Sequence, residues 1–338
     1  MKPFDSILVA TDFSAAANNA VRRAALLARE HNARLSILHV IDRSGLYRSG
    51  KGYSPAIDMP VKTAQARVNL RQLADELSRT FKVTADTVVK IGDPLDVLAS
   101  ESSRASLVVL GRRGGSSIKD WLLGTPAERL LDACARPVLV VKQTVEGPYR
   151  QVLTGLDFTP TSDAAALVAA ALAPAANLHL THVFRSKQND ALLQTDVPSA
   201  TLRELRERED AGIIARMRRR VAAIGLDSRK LRFAVSRGSS TPAILNQEQM
   251  QGADVVAVGR QRRAKWLDAL LGSVSRRVLA RAFSDVLVVP SVPELPAVSP
   301  VSTARRLAGA RVDGAAHARR WWTIEVDPAN TRPPAWPT

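Results

Sequence analysis

The chain is one α/β unit written twice, and that repetition limits its fold more than any other feature. Ser6-Ile7-Leu8-Val9-Ala10-Thr11-Asp12-Phe13-Ser14 returns as Gln151-Val152-Leu153-Thr154-Gly155-Leu156-Asp157-Phe158-Thr159. Leu35 to Val40 returns as Leu178 to Val183, and Ala105 to Gly111 as Ala253 to Gly259. Pro137 to Val141 returns as Asp285 to Val289, and all four pairs keep their order. Short β-branched runs alternate with longer alanine-rich segments of helical period. In the first copy the runs predict strands near 6–10, 34–40, 83–89, 106–110 and 137–141. Helices are predicted over 15–30, 62–80, 94–103 and 126–135. Near-continuous apolar strands separated by helices imply parallel strands covered on both faces. The expected fold class is therefore α/β: two tandem, doubly wound, five-stranded parallel sheets of Rossmann-like type.

Domain boundaries follow the repeat: 1–143 for the first domain, 149–290 for the second, and a short linker around Lys142–Tyr149. The stretch Asp42–Pro60, with Gly45, Gly50, Gly52 and two prolines, reads as a surface loop. Residues 291–338 are rich in proline and lack sustained periodicity, so this tail is expected to be largely disordered. Trp321-Trp322 is its one candidate docking point. The final runs, Val138–Val141 and Val286–Val289, are apolar, and an apolar strand at a sheet edge invites pairing. They should join the domains as an intramolecular pseudo-dimer, and a homodimer is a further expectation.

Charge and cysteine content narrow the function classes. The net charge is +16. The tail from Ser291 holds six arginines and four acids, which leaves +14 (16 − 2) on the repeated body. Much of it sits in Arg203–Arg220, where alternating signs read as a solvated helix face with local ion pairs. No basic stripe with interleaved aromatics and no zinc-finger or RNA-binding motif appears, which argues against specific nucleic-acid binding. No apolar run reaches the roughly 18 residues of a membrane span. The N-terminus enters a strand without the apolar core of a signal peptide, and the single cysteine, Cys134, suits a reducing compartment. A cytoplasmic protein is expected.

In doubly wound sheets, ligands bind beyond the C-terminal ends of strands where the strand order reverses. Asp12 follows the first strand and Gly111 closes the fourth, so both belong on that edge. After Gly111 runs a spaced series: Gly111-Arg112-Arg113-Gly114, nine residues, then Gly124-Thr125. Glycines there let backbone N–H groups approach an anion, and a helix start adds its own donors. Arg112 adds a charge-assisted donor. Thr125-Pro126-Ala127-Glu128 has the form of a capping box. Taken by spacing alone, the series is either a phosphate cradle or a set of turns. Asp12 is either an acceptor for a ribose or adenine donor or a helix cap. Val40, at the expected end of strand two, either offers backbone to an adenine edge or only packs. The second copy reads Gly259-Arg260-Gln261-Arg262, nine residues, Gly272-Ser273, with Arg262 where a glycine stood. Arginine crowds a phosphate and strains a left-handed turn.

No zinc-like spacing links the five histidines, and no nucleophile elbow or lysine-bearing phosphate loop appears. His39 and His182 hold equivalent strand positions and read as packing residues. Cys134 reads as a buried, inert thiol. An enzyme is therefore not expected, beyond slow hydrolysis of a bound nucleotide.

Asp12, the Gly111-x2-Gly114-x9-Gly124-Thr125 series and the Pro137–Val141 ending resemble the nucleotide-binding pattern of universal stress proteins. The resemblance covers about residues 1–142 and 150–290, as in tandem members of that family. It implies the adenine nucleotide alpha-hydrolase-like fold and ATP, possibly with magnesium, as ligand. It places adenosine on Asp12 and Val40 and phosphates on Gly111, Arg112, Gly114, Gly124 and Thr125. A weaker second site falls on Asp157, Val183, Gly259, Gly272 and Ser273. The implied role is a stress-response binding module, with an unknown protein partner, whose state follows its nucleotide. The alternatives are a structural relative that binds no nucleotide and a slow ATPase of the same superfamily.

Overall fold

The structure is a computed structural model that describes residues 4–42, 55–112, 131, 133–184, 199–227, 231–260 and 273–290. In the first copy the elements are β1 (Ser6–Ala10), α1 (Ala15–His31), β2 (Arg34–Asp42), α2 (Pro55–Phe81), β3 (Ala85–Gly92), α3 (Pro94–Ser102), β4 (Leu107–Gly111) and β5 (Val138–Val141). In the second they are β6 (Gln151–Gly155), α4 (Pro160–Leu172), β7 (Asn177–Phe184), α5 (Ser199–Ala223), β8 (Leu231–Arg237), α6 (Ser240–Gln251), β9 (Val255–Arg260), α7 (Ser273–Arg281) and β10 (Asp285–Pro290).

Each copy forms five parallel strands in the doubly wound order, and the copies meet edge to edge. The full order is β3-β2-β1-β4-β5-β10-β9-β6-β7-β8. The join between β5 and β10 is antiparallel, with Val286 opposite Val140 and Val288 opposite Val138. The two half-sheets are thus one ten-stranded sheet, and the described residues form one compact unit.

Alternation along the strands builds two core layers, one per face. Ile7, Val9, Ile37, Val109, Leu139, Val255 and Leu287 face α1, α2, α4 and α5. Leu8, Leu38, Val108, Val140, Val256 and Val288 face α3, α6 and α7. Alanines in α1 (Ala20, Ala24, Ala25) and α4 (Ala165, Ala169) let those helices lie close on the central strands.

Helix starts explain themselves locally. Ser14 caps α1 by accepting from Ala17 N (3.2 Å), and Thr159 caps α4 by accepting from Ser162 N (3.2 Å). Asn32 ends α1 in the left-handed region that a C-terminal cap favours. The expected Asp42–Pro60 loop is shorter than predicted: β2 runs on to Asp42 and α2 begins at Pro55. Proline is suited to a helix's first position, and Pro60 sits early enough in α2 that the helix continues past it. Of the helix expected over 126–135, residues 126–130 and 132 lie outside the described residues, as do the whole tail 291–338 and its tryptophans.

The arginine-rich helix α5 does more than present a solvated face. Arg208 and Glu204 form the expected exposed i,i+4 pair at 2.7 Å. Arg220, however, clamps Asp163 of α4 through two hydrogen bonds. Arg216 lies 4.0 Å over the ring of Phe158.

The linker is held by a buried polar cluster. Asp285, fully buried at the start of β10, accepts from Lys142 N (2.7 Å), Gln143 N (3.0 Å) and Tyr149 OH (2.5 Å). Arg23 of α1 approaches the same carboxylate at 3.6 Å, donates to Gly147 O (2.7 Å) and covers the Tyr149 ring. Lys142 Nζ donates to Leu279 O and Ala282 O at the end of α7. Burial pulls the Lys142 ammonium down to about 8 and pushes the Asp285 carboxyl up.

Candidate functional site

The turn after β1 is held from three sides. Thr11 N donates to Leu38 O of β2 (2.9 Å), and Thr11 O bonds His39 Nδ1 (2.8 Å). Thr11 Oγ1 accepts from Phe13 N (3.0 Å), while Asp12 Oδ1 accepts from Ser14 N (3.0 Å). A carbonyl partner requires an N–H, so His39 carries its proton on Nδ1. Burial supports the neutral ring by lowering its pKa. Phe13 takes a left-handed φ of 65° and lays its ring against His39, with centroids 4.4 Å apart. The cap expected of Asp12 is therefore Ser14, and Asp12 holds the turn that precedes it.

The second copy repeats this turn. Leu156 N donates to Thr181 O (2.8 Å) and Leu156 O bonds His182 Nδ1 (2.7 Å). Asp157 Oδ1 accepts from both Thr159 N (3.0 Å) and Thr159 Oγ1 (2.5 Å). Phe158 has φ 64° and its ring lies 4.7 Å from His182. The histidines were legible only as packing residues. Their actual task is to fix the carbonyl just before each acid, and their matched place in the repeat was the signal.

Opposite each acid stands a glycine at the end of the neighbouring strand. A Cβ on Gly111 would lie 2.7 Å from Ala16 O and 3.0 Å from Ala17 Cα. On Gly259 it would meet Thr161 Cγ2 at 2.5 Å and Thr161 O at 2.8 Å. Each glycine thus admits the first turn of α1 or α4 against the sheet, as close helix–strand packing in nucleotide folds requires. This helix contact is a demand on Gly111 and Gly259 that the phosphate reading of the sequence missed.

Of the other expected site residues, Arg112 is exposed and its N–H extends the ladder to Val141 O (2.9 Å). Val40 and Val183 lie inside β2 and β7 rather than at their ends, paired with Lys90 and Ser236. Ser273 begins α7. Gly114, Gly124, Thr125, Arg262 and Gly272 lie outside the described residues.

In the second copy the acid, glycine and helix starts enclose a cleft of about 220 Å³. Asp157, Thr159, Ser162, Thr181, Val183 and Gly259 are among its walls. Ser275 of α7 closes one side, donating its hydroxyl to Gly259 O at 2.7 Å. Three helices, α4, α6 and α7, begin around this opening, so their positive ends converge on it. Such a crevice suits a ligand that combines hydrogen-bond donors for Asp157 with negative charge for the helix starts.

Among the described residues, no group of three or more His, Cys, Asp or Glu is placed to hold a metal ion. Cys134 is buried, and burial pushes its thiol pKa up, away from nucleophilic reactivity. No helix of the described residues is long and apolar enough to cross a membrane.

Comparison with known proteins agrees with this architecture. The profile of the universal stress protein family matches residues 3–142 and again 148–290. A universal stress protein from Mycolicibacterium smegmatis is 30% identical over 297 residues, spanning 84% of this chain and 96% of that protein. One from Bacillus subtilis is 32% identical over 150 residues, covering 41% of this chain and 99% of its own length. The crystal structure of a universal stress protein from Archaeoglobus fulgidus superposes with a TM-score of 0.60 at 22% identity, over 85% of this chain and 98% of that one. With a doubled profile match over most of its length and a relative spanning both copies, the chain belongs to the universal stress protein family, as a tandem member.

Proposed function

We propose that this protein is an adenine-nucleotide-binding stress-response module that takes ATP at the first copy and binds more weakly at the second. Asp12 accepts from the ribose, the backbone of β2 at Val40 meets the adenine edge, and the loop from Gly111 and Arg112 through Gly114 to Gly124-Thr125 cradles the phosphates. The observation that carries this reading is the acid-bearing turn, pinned by a histidine and set opposite a glycine strand end, built twice with the same bonds. The loop's part rests on its glycine spacing and on the family resemblance. Magnesium would accompany the triphosphate. The bound nucleotide acts as a signal that sets partner choice, and any hydrolysis is slow.

Titration of the full chain with labelled ATP tests the proposal. Asp12→Ala removes a charged acceptor, so affinity for the tighter site should fall about tenfold or more. Asp157→Ala should leave that tighter site within about twofold, since it lies in the other copy. Undiminished binding by Asp12→Ala overturns the assignment. No ATP binding by the unaltered chain favours the structural alternative.

A further inference from the structure

The two copies differ where the third helix of each begins. In the first, Asp93 caps α3 with its own carboxylate, accepting from Leu95 N (2.8 Å) and Asp96 N (3.3 Å). Asp96 adds a second acid in that turn. The helix's positive end is thereby neutralised from within. In the second copy, Gly92-Asp93-Pro94-Leu95 is replaced by Gly238-Ser239-Ser240-Thr241. The Ser239 side chain makes no capping hydrogen bond to α6, and no acid occupies its first turn.

This start opens on a hollow of about 350 Å³ whose walls include Gly238, Ser239, Ser240, Thr241 and Arg277. Ser240, Val183 and Val274 also line the Asp157 cleft, so the two spaces adjoin. Thr241 stands where the first copy has a leucine. It is 3% exposed, and its hydroxyl has no hydrogen-bond partner within the protein. A buried hydroxyl in that state carries a desolvation cost that a ligand oxygen relieves. Arg277, exposed, also lines the hollow and adds positive charge. Asp157 lines the neighbouring cleft and not this hollow, which favours an anion at α6.

We propose that the second copy holds a phosphate-bearing small molecule with its phosphate at the start of α6, bound by the Ser240 and Thr241 N–H groups, the Thr241 hydroxyl and Arg277. The body of the ligand lies toward Asp157. Loss of the glycine at Arg262 is then a relocation of the anion subsite, away from the β9–α7 connection. The inference rests on reading the second-copy crevice as a ligand site, and not on ATP at Asp12.

Backbone amide NMR of the full chain, titrated with pyrophosphate, tests it. The expected result is saturable movement of the Ser240 and Thr241 amide signals. Ser239→Asp installs the first copy's internal carboxylate and should weaken binding about tenfold or more. Thr241→Val keeps the side-chain shape and should weaken it several-fold. Unmoved Ser240 and Thr241 signals, movement confined to Ser273–Ser275, or full affinity in both variants would overturn the proposal. ATP titrated in parallel separates the two readings. If ATP fails to bind while pyrophosphate still moves these amides, only the nucleotide assignment falls. If Ser239→Asp loses pyrophosphate but keeps ATP, the α6 subsite stands as a separate site.

Discussion

Gly111 and Gly259 show how one residue can answer to two demands. Gly111 closes β4 and Gly259 lies one residue before the end of β9, and both let a helix start come within van der Waals contact of the sheet. The atoms that an added Cβ meets at Gly111 are backbone atoms of Ala16 and Ala17, which cannot swing aside as a side chain would. Gly111→Ala should therefore cost about 1–3 kcal/mol through overpacking. It should also shift the turn that bears Asp12, because α1 begins two residues beyond Phe13. Urea denaturation gives the stability, and a lower ATP affinity in the still-folded variant gives the second effect. A Gly111→Ala protein of unchanged stability would contradict the close approach. The same chemistry accounts for what the sequence concealed. A glycine after a strand looks alike whether a phosphate or a helix approaches it, since the neighbour lies some ninety-five residues away (111 − 16).

At the scale of elements, most of the fold was legible and the exceptions have identifiable causes. Near-continuous apolar runs located every strand of the first copy to within about three residues, because burial on both faces leaves few polar interruptions. The start of α2 was misplaced because prolines at 55 and 60 were read as loop signals, whereas a helix tolerates proline near its N-terminus. The acid, the glycine and their shared edge were also legible. The histidine tethers were not, because a bond from a ring nitrogen to a main-chain carbonyl leaves no trace in composition. The contrast between α3 and α6 gives a prediction at this scale. Asp93→Ala should destabilise the protein by about 1 kcal/mol through loss of a helix cap. Ser239→Asp should instead hold or raise stability by up to about 1 kcal/mol through the cap and helix dipole. Thermal melts of both variants in phosphate-free buffer check the pair, and a destabilised Ser239→Asp would show that α6 is already satisfied at its start.

For the whole molecule, the decisive contact is the one between β5 and β10, together with the buried cluster around Asp285. That aspartate ties α1, the linker and β10 together, so it serves both copies at once. Asp285→Ala leaves Arg23 buried without its carboxylate, and truncating one partner of such a pair typically costs about 3–5 kcal/mol. The loss should be felt on both sides of the join. Hydrogen exchange followed by mass spectrometry should show faster exchange in peptides from β1 and from β7 alike. Faster exchange in one copy only would mean that the cluster supports that copy alone. The antiparallel join has one more consequence. Strands within each half run parallel, but the halves run in opposite directions. Ligands of such sheets sit beyond strand C-termini, so the Asp12 turn and the Asp157 cleft lie at opposite edges of the sheet. On the proposed reading, no single small ligand could bridge the two sites, and ligands held at both would not meet.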